Sequence, residues 1–405
     1  MTSTPTPGLL RREPYRVFFP LGVALSWWGV GPWLLVAVGW LHGWPSIFHS
    51  IAQIEGFLAC FAVGFLFTML PRRTGTPAPT RTEMAIGLAA PVALTAAAWF
   101  DEVPLSQVAW IAVLGMLIRF AVPRIVGRDV PRRPPHAFVW IPAGLAMALG
   151  GTVAMAIYHP LDLPFTWHVF GQGLLLQGLF LSLVVGVGAM LLPLLTRRQS
   201  SVDGDTARPG RRWPHVAAAV TLAGSFAVEA FAVPAIGFAM RAAVTGGVLV
   251  LSAGIHRLPT APGLHRRLVW LSAWAIPLGY ALAAAMPNRH QVGLHVVFIM
   301  GFGLMALMVG LHVTLAHGGR QDLVHRTVWQ VPASAVLLVG AVVARGLVVL
   351  DPLRTWLWLG VAAGAYLVAT LPWLALAWAG YAAQQPDEAH RRSGEGRLRI
   401  ARGGA

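Results

Sequence analysis

The stretch that decides the fold is FHSIAQIEGFLACFAVGFLFTMLPRRTG, residues 48–75. It runs from a histidine through a long apolar stretch to a pair of arginines. An α-helix needs about 20 mostly apolar residues to cross the hydrocarbon core of a bilayer. Arginines at the end of such a helix mark its cytoplasmic side. The segment therefore predicts a transmembrane helix that runs from the outer face to the cytoplasm.

The rest of the chain contains further segments of the same kind. Of its 405 residues, 56% are hydrophobic and only 11% are charged, whereas about a quarter of the residues in soluble domains are charged. The mean hydropathy is +0.65. We predict an all-α, polytopic membrane protein with about twelve transmembrane helices. The predicted spans are 17–41, 47–70, 84–100, 104–122, 137–158, 166–195, 215–233, 234–254, 268–286, 292–316, 329–350 and 353–382.

The charge distribution predicts the orientation of the protein in the membrane and limits the classes of partner it can bind. All 30 basic residues are arginines, against 15 acidic residues, and they cluster after the even-numbered spans. This positive-inside pattern predicts cytoplasmic termini in a bacterial-type inner membrane. We expect a cytoplasmic segment at 1–16, one membrane domain at 17–382 and a disordered basic tail at 383–405. The bilayer is thus a partner, whereas no loop is long enough to form a nucleic-acid-binding face.

Two later segments repeat the pattern of residues 48–75. Residues 167–198 read WHVFGQGLLLQGLFLSLVVGVGAMLLPLLTRR, and residues 294–320 read LHVVFIMGFGLMALMVGLHVTLAHGGR. They fall in the sixth and tenth spans, whereas the first segment is the second span. This period of four suggests three pseudo-repeats of four helices. Glycines such as Gly56 and Gly303 allow either a neighbouring helix or a flat cofactor to approach the backbone.

Histidines mark the outer ends of the three repeated spans. His49, His168 and His295 lie near the beginnings of these spans, so we expect them to converge on one site. Imidazole is a common protein ligand for haem iron and for copper. We predict that His49 and His295 are axial ligands of a haem. Further candidate ligands for copper or a second haem are His168, His159, His290 and His317.

The cysteine content excludes one mode of haem attachment. Cys60 is the only cysteine, which excludes both an internal disulfide and the Cys-x-x-Cys-His motif of covalently attached haem. A bound haem would therefore be held without a covalent bond, and we expect haem b, as in membrane cytochromes in which two histidines on facing helices hold the ring.

The remaining polar residues of the spans are predicted to form pairs. Glu229 and Arg241 flank a tight turn at similar depth and should pair with each other. Arg345 should extend towards Asp351. We assign another six histidines to solvated loops: His136, His215, His256, His265, His325 and His390.

Four blocks of sequence resemble the NnrS family: residues 14–22 (PYRVFFPLG), 48–75, 192–197 and 295–320. The resemblance implies a polytopic inner-membrane protein that carries haem and copper and is associated with nitric oxide and the relief of nitrosative stress. The family's second span usually reads close to His-Ala-His-Glu. Here only His49 matches, because Ile51 and Ala52 replace the second histidine and the glutamate, and His312 stands where an arginine is expected. The family's metal site is therefore expected to be altered in this chain.

Three functions are compatible with the sequence. The leading hypothesis is a haem protein, possessing copper as well if the resemblance holds, that binds, senses or removes nitric oxide with an unidentified electron donor. The alternative is a secondary transporter, since twelve spans with cytoplasmic termini are common among carriers. A metal-free assembly or regulatory protein is the third. The layout is also similar to the catalytic subunit of haem-copper oxidases and nitric oxide reductases, but their adjacent histidine pair on span seven is missing.

Overall fold

A computed structural model of the chain describes residues 8–127, 130–158, 160–199 and 212–382. Every regular element in these ranges is helical, so the predicted all-α fold is confirmed. The tail predicted at 383–405 lies outside the described residues. Twelve helices are long and apolar enough to cross a membrane, and we label them α1 to α12: Tyr15–Ala37, Ser46–Thr74, Arg81–Trp99, Val103–Val126, His136–Tyr158, Phe165–Arg197, Arg212–Phe231, Pro234–Ala253, Leu264–Ala285, Gln291–His317, Gln330–Leu350 and Pro352–Ala382.

Local sequence signals explain where several helices begin and end. α3 starts with a capping box, in which the Glu83 amide donates to the Thr80 hydroxyl at 3.2 Å and the Thr80 amide donates to the Glu83 carboxylate at 2.7 Å. α2 ends at Gly75, whose φ of +72° is a left-handed conformation that glycine adopts readily. α8 begins with Pro234 at its first position. The tight turn predicted between α7 and α8 is therefore present.

The helices form a closed ring with three of them drawn inward. Consecutive helices pack against each other, and α12 packs on α1 to close the ring. α2, α6 and α10 contact helices beyond their chain neighbours, and 83% of the most apolar stretch of α2 is buried. These inner helices are four apart, which matches the period seen in the sequence. We call the ends where they begin the histidine side and the opposite ends the arginine side.

Each inner helix contains a π-helical segment near its histidine-side end. The segments are Ala52–Leu58 in α2, Leu174–Gly178 in α6 and Val296–Gly303 in α10. A π turn closes with i→i+5 hydrogen bonds and so accommodates one extra residue. That extra residue rotates the following helix by about 100° relative to an uninterrupted α-helix. Within a π segment, residues four apart therefore lie on one face.

Candidate functional site

A cavity lies towards the histidine side between α1, α2, α10, α11 and α12, and we call it the histidine cavity. The centre of a water molecule can reach about 190 Å³ of it, where about 10–15 Å³ is enough for one water molecule. The cavity therefore has room for a ligand much larger than water. Its walls include Val30, Trp33, His49, Ser50, Gln53, Ile54, Phe57, Leu58, Leu176, His295, Phe298, Ile299, Gly303, Arg345, Leu359, Ala362, Ala363 and Tyr366.

The two histidines predicted as axial ligands line this one cavity in the same tautomer. His49 Nδ1 lies 2.9 Å from the carbonyl oxygen of Gly29 in α1, and His295 Nδ1 lies 2.7 Å from that of Gln291. A carbonyl oxygen only accepts hydrogen bonds, so in both rings Nδ1 carries the proton and donates it. In the neutral ring the lone pair is then on Nε2, the nitrogen left to bind a metal.

Several lining residues lie on the same helix faces as the two histidines. On α2 the cavity is lined by His49, Ser50, Gln53, Ile54, Phe57 and Leu58, and on α10 by His295, Phe298, Ile299 and Gly303. Residues four apart in these sets, such as His49, Gln53 and Phe57, share one face of their helix. α2 and α10 thus each present a continuous face to the cavity.

Of the two glycines singled out in the sequence, only Gly303 lines the cavity. A Cβ added to Gly303 would have one atom within 4 Å, the Phe298 carbonyl oxygen at 3.2 Å. A Cβ on Gly56 would instead lie 3.0 Å from the Thr95 hydroxyl of α3. Gly56 therefore serves helix packing. In a regular α-helix, with 100° per residue, Gly56 would share the face of His49, and the π segment Ala52–Leu58 removes it from that face.

Arg345 of α11 lines the cavity as well, which the sequence analysis did not foresee. It was expected to reach Asp351, but that carboxylate accepts a hydrogen bond from Trp358 Nε1 at 3.0 Å. Arg345 instead lines the cavity together with both imidazoles. A cation located within a span at the depth of the histidines was the signal that could have placed it here.

Two further polar residues of the cavity wall bond to each other and to α1. Gln53 Nε2 donates to the Ser26 carbonyl oxygen at 2.9 Å, and the Tyr366 hydroxyl donates to Gln53 Oε1 at 3.4 Å. The indole of Trp33 packs edge-on against His49, with 5.9 Å between the ring centres. These contacts fix the wall around His49.

The other histidines proposed as metal ligands lie elsewhere. His168 stacks on Phe165 at 5.1 Å between ring centres, and His290 stacks on Phe238 at 5.4 Å. His317, on the arginine side, accepts a hydrogen bond at 2.7 Å from Arg72. His159 lies outside the described residues. Across the described ranges, no group of three His, Cys, Asp or Glu side chains is arranged to hold a metal ion.

The predicted ion pair between Glu229 and Arg241 is present and belongs to a larger cluster, the Arg241 network. Arg241 is fully buried, bonds to Glu229 and donates to Gln177 Oε1 at 3.1 Å. The Tyr280 hydroxyl donates to the same oxygen at 2.8 Å. The guanidinium also lies 4.4 Å from the ring centre of Phe226. This cluster fills the space between α6, α7, α8 and α9.

A second cavity, the apolar cavity, lies between the inner helices on the arginine side of the first. The centre of a water molecule can reach about 120 Å³ of it. Phe61, Phe180 and Phe302 contribute to its walls, and Leu58 lines both cavities. Its described walls offer no histidine, cysteine or carboxylate, so these residues provide no metal ligand.

Two histidines assigned to solvated loops are in fact buried. His265 is 2% exposed, and its Nε2 lies 3.1 Å from Nδ1 of His312. His215 is 5% exposed and accepts a hydrogen bond from Trp140 Nε1 at 3.2 Å. Those assignments were wrong because α7 and α9 begin earlier than predicted, at Arg212 and Leu264.

Comparison with known proteins agrees with this architecture. No curated protein matches the chain. The family model described as NnrS protein matches residues 9–384, which is nearly the whole chain and includes both histidines of the cavity. The chain therefore belongs to the NnrS family.

Proposed function

We propose that this protein binds haem b in the histidine cavity, with His49 and His295 as axial ligands, and that nitric oxide is the gas it binds. One observation carries the proposal: two histidines from different inner helices line one cavity, each with Nδ1 bonded to a carbonyl oxygen and Nε2 left for a metal. We assign nitric oxide as the ligand because the sequence resemblance associates the family with this gas.

The residues of the cavity fit such a ring. Two imidazoles are a frequent donor set for haem iron, and their Nδ1 bonds fix the rings and increase the basicity of Nε2. Gly303 leaves this part of the wall open, because it carries no side chain. Phe57, Leu58 and Leu359 supply an apolar surround. The donors, the open glycine and the apolar walls all suit a flat macrocycle.

The two histidines are held differently, which assigns them different tasks. His49 is bonded to α1, whereas His295 is bonded only to a carbonyl of its own helix, four residues earlier. Both histidines would hold the haem, whose iron would supply the centre for nitric oxide. His295 could move away from it without breaking a hydrogen bond to another helix.

Copper remains a prediction without a site. The described residues bring no third ligand to His168 or His290, and Ile51 and Ala52 stand where the family usually has a histidine and a glutamate. No part of the proposed function therefore depends on copper.

We also propose that the protein lies in a bacterial inner membrane with both termini in the cytoplasm, so that the cavity faces outward. Arginines concentrate at the arginine side, as expected for cytoplasmic loops. The test is single-cysteine labelling of intact cells with a membrane-impermeant maleimide. Trp40→Cys should react and Thr327→Cys should not, while the native Cys60 is buried and gives no background. The reverse labelling pattern would overturn the orientation.

The haem proposal is tested by absorption spectroscopy of protein produced with a haem supply. The wild type should show a Soret band of six-coordinate, low-spin haem. His49→Ala and His295→Ala should each abolish the low-spin spectrum, and the double variant should lose the haem. His168→Ala is the matched control and should keep the wild-type spectrum. A missing Soret band, or one unchanged by both cavity substitutions, rejects the assignment.

Nitric oxide binding requires its own measurement. Nitric oxide added to the reduced protein should shift the Soret band, and His295→Ala should bind it faster than the wild type because the imidazole of His295 does not first have to move away. An unchanged spectrum would reject nitric oxide as the ligand. Solute uptake into liposomes by protein that contains no haem would favour the secondary transporter.

A further inference from the structure

Arg345 is a cation for which the described residues provide no ion-pair partner. It lies in α11 and lines the histidine cavity, and its Nη1 atom is shielded from solvent with no hydrogen-bond partner. Charged side chains within a membrane are energetically costly and are almost always paired. A site that retains such a cation therefore points to an anion supplied from outside the chain.

The described residues that line the cavity include no aspartate or glutamate, so none of them can neutralise Arg345. Asp351, the nearest acidic residue along the chain, accepts a hydrogen bond from Trp358. The nearby imidazoles of His49 and His295 bring no negative charge. Any compensating charge has to come from the ligand of the cavity.

We propose that Arg345 binds a carboxylate of the macrocycle held by the two histidines, namely a propionate of haem. This inference rests on the proposed function and adds to it the recognition of the ligand's acidic edge. The planar guanidinium matches a carboxylate with two parallel N–H donors. Haem carries its propionates on one edge of the ring, so one arginine at one wall suffices to select that edge.

The position of Arg345 indicates which wall would meet the acidic edge of the ring. It lies at the depth of the two histidines, five residues before the end of α11 at Leu350, about 7.5 Å along the helix. A carboxylate of a ring held by His49 and His295 would therefore have to face α11 to reach it.

The test compares two ligands on one protein. Haem-free wild-type protein in detergent is titrated with haemin and, separately, with haemin dimethyl ester, whose carboxylates are blocked, and the Soret band is followed. Wild type should bind haemin about ten- to a hundredfold more tightly, as expected for a buried charge-assisted bond. Arg345→Gln should lose this preference, and Arg345→Lys should recover part of it. Arg354→Gln, an exposed arginine on the same side, is the control and should behave as wild type.

The outcomes separate this inference from the proposed function. Equal affinity of the wild type for haemin and its ester overturns the role of Arg345 while haem binding stands. A preference for haemin that survives in Arg345→Gln does the same. Binding of neither compound to wild type overturns both. Because the comparison of ligands on wild type needs no substitution, it decides the matter even if Arg345→Gln does not fold.

Discussion

The histidine cavity and the Arg241 network lie in different parts of the bundle, and each contains one arginine within a span. The cavity lies among α1, α2, α10, α11 and α12, and the network among α6, α7, α8 and α9. Arg241 has a carboxylate, an amide and aromatic rings around it, whereas the described residues that line the cavity offer Arg345 no carboxylate. The chain thus fills one of these spaces with its own side chains and leaves the other open beside an uncompensated charge.

The largest expected effect comes from disrupting the Arg241 network. Arg241→Ala should lower the free energy of unfolding by about 3–5 kcal/mol, because Glu229 is left charged and unpaired in an apolar setting. Thermal or denaturant unfolding in detergent measures this, with the exposed Arg119→Ala as the control. A loss below about 1 kcal/mol would mean that the network contributes little, and the contrast with the cavity would disappear.

Removing the arginine of the histidine cavity should change stability in the opposite direction. In haem-free protein, Arg345→Met should raise the free energy of unfolding by about 1–3 kcal/mol, because a buried donor without a partner is removed. The same unfolding assay applies, and added haemin should reverse the order of wild type and variant. Destabilisation of the haem-free variant would show that Arg345 already has a counter-ion.

The two glycines give a sharper version of the comparison between binding and packing. Gly303→Val should weaken haemin binding about tenfold, or about 1.4 kcal/mol, because its side chain enters the cavity. Gly56→Ala should reduce stability, since its Cβ crowds the Thr95 hydroxyl, but leave haemin affinity unchanged. Titration and unfolding of both variants separate these effects. Loss of affinity in Gly56→Ala alone would reverse the assignment.

The smallest effect is expected at His168, which does not line the histidine cavity. His168→Ala loses its stacking on Phe165, so stability should change by no more than about 1 kcal/mol. The haem spectrum should remain that of the wild type. A changed spectrum would bring His168 back as a ligand and would extend the site to α6.

The fold could be predicted almost completely from the sequence. Hydropathy located all twelve helices, since a bilayer demands long apolar segments. Errors arose at the arginine-side ends, where amphipathic first turns such as that of α9 still belong to the helix. His265 was for this reason placed in a loop although it is buried beside His312.

The site could be predicted only in part. The repeated histidines pointed to His49 and His295, which line one cavity, but the π turns could not be predicted, because no residue type encodes them. Without those turns Gly56 could not be told apart from Gly303, although only Gly303 lines the cavity. Arg345 was predicted to pair with Asp351 because the two are close in the sequence, whereas its side chain lines the histidine cavity. Local spacing cannot reveal which neighbouring helices enclose a side chain.

The π segments of α2 and α10 mark where the part of each helix that lines the histidine cavity meets the part that lines the apolar cavity. In α2 the residues before Ala59 line the histidine cavity, and those from Leu58 to Leu66 line the apolar cavity; α10 divides in the same way at Phe302 and Gly303. The π segment therefore rotates the second part of each of these helices about its axis relative to the first part. Deleting one residue from a π segment would change this rotation by about 100°. The two compartments are thus linked by helical register, and a change of chain length by a single residue would disturb both at once.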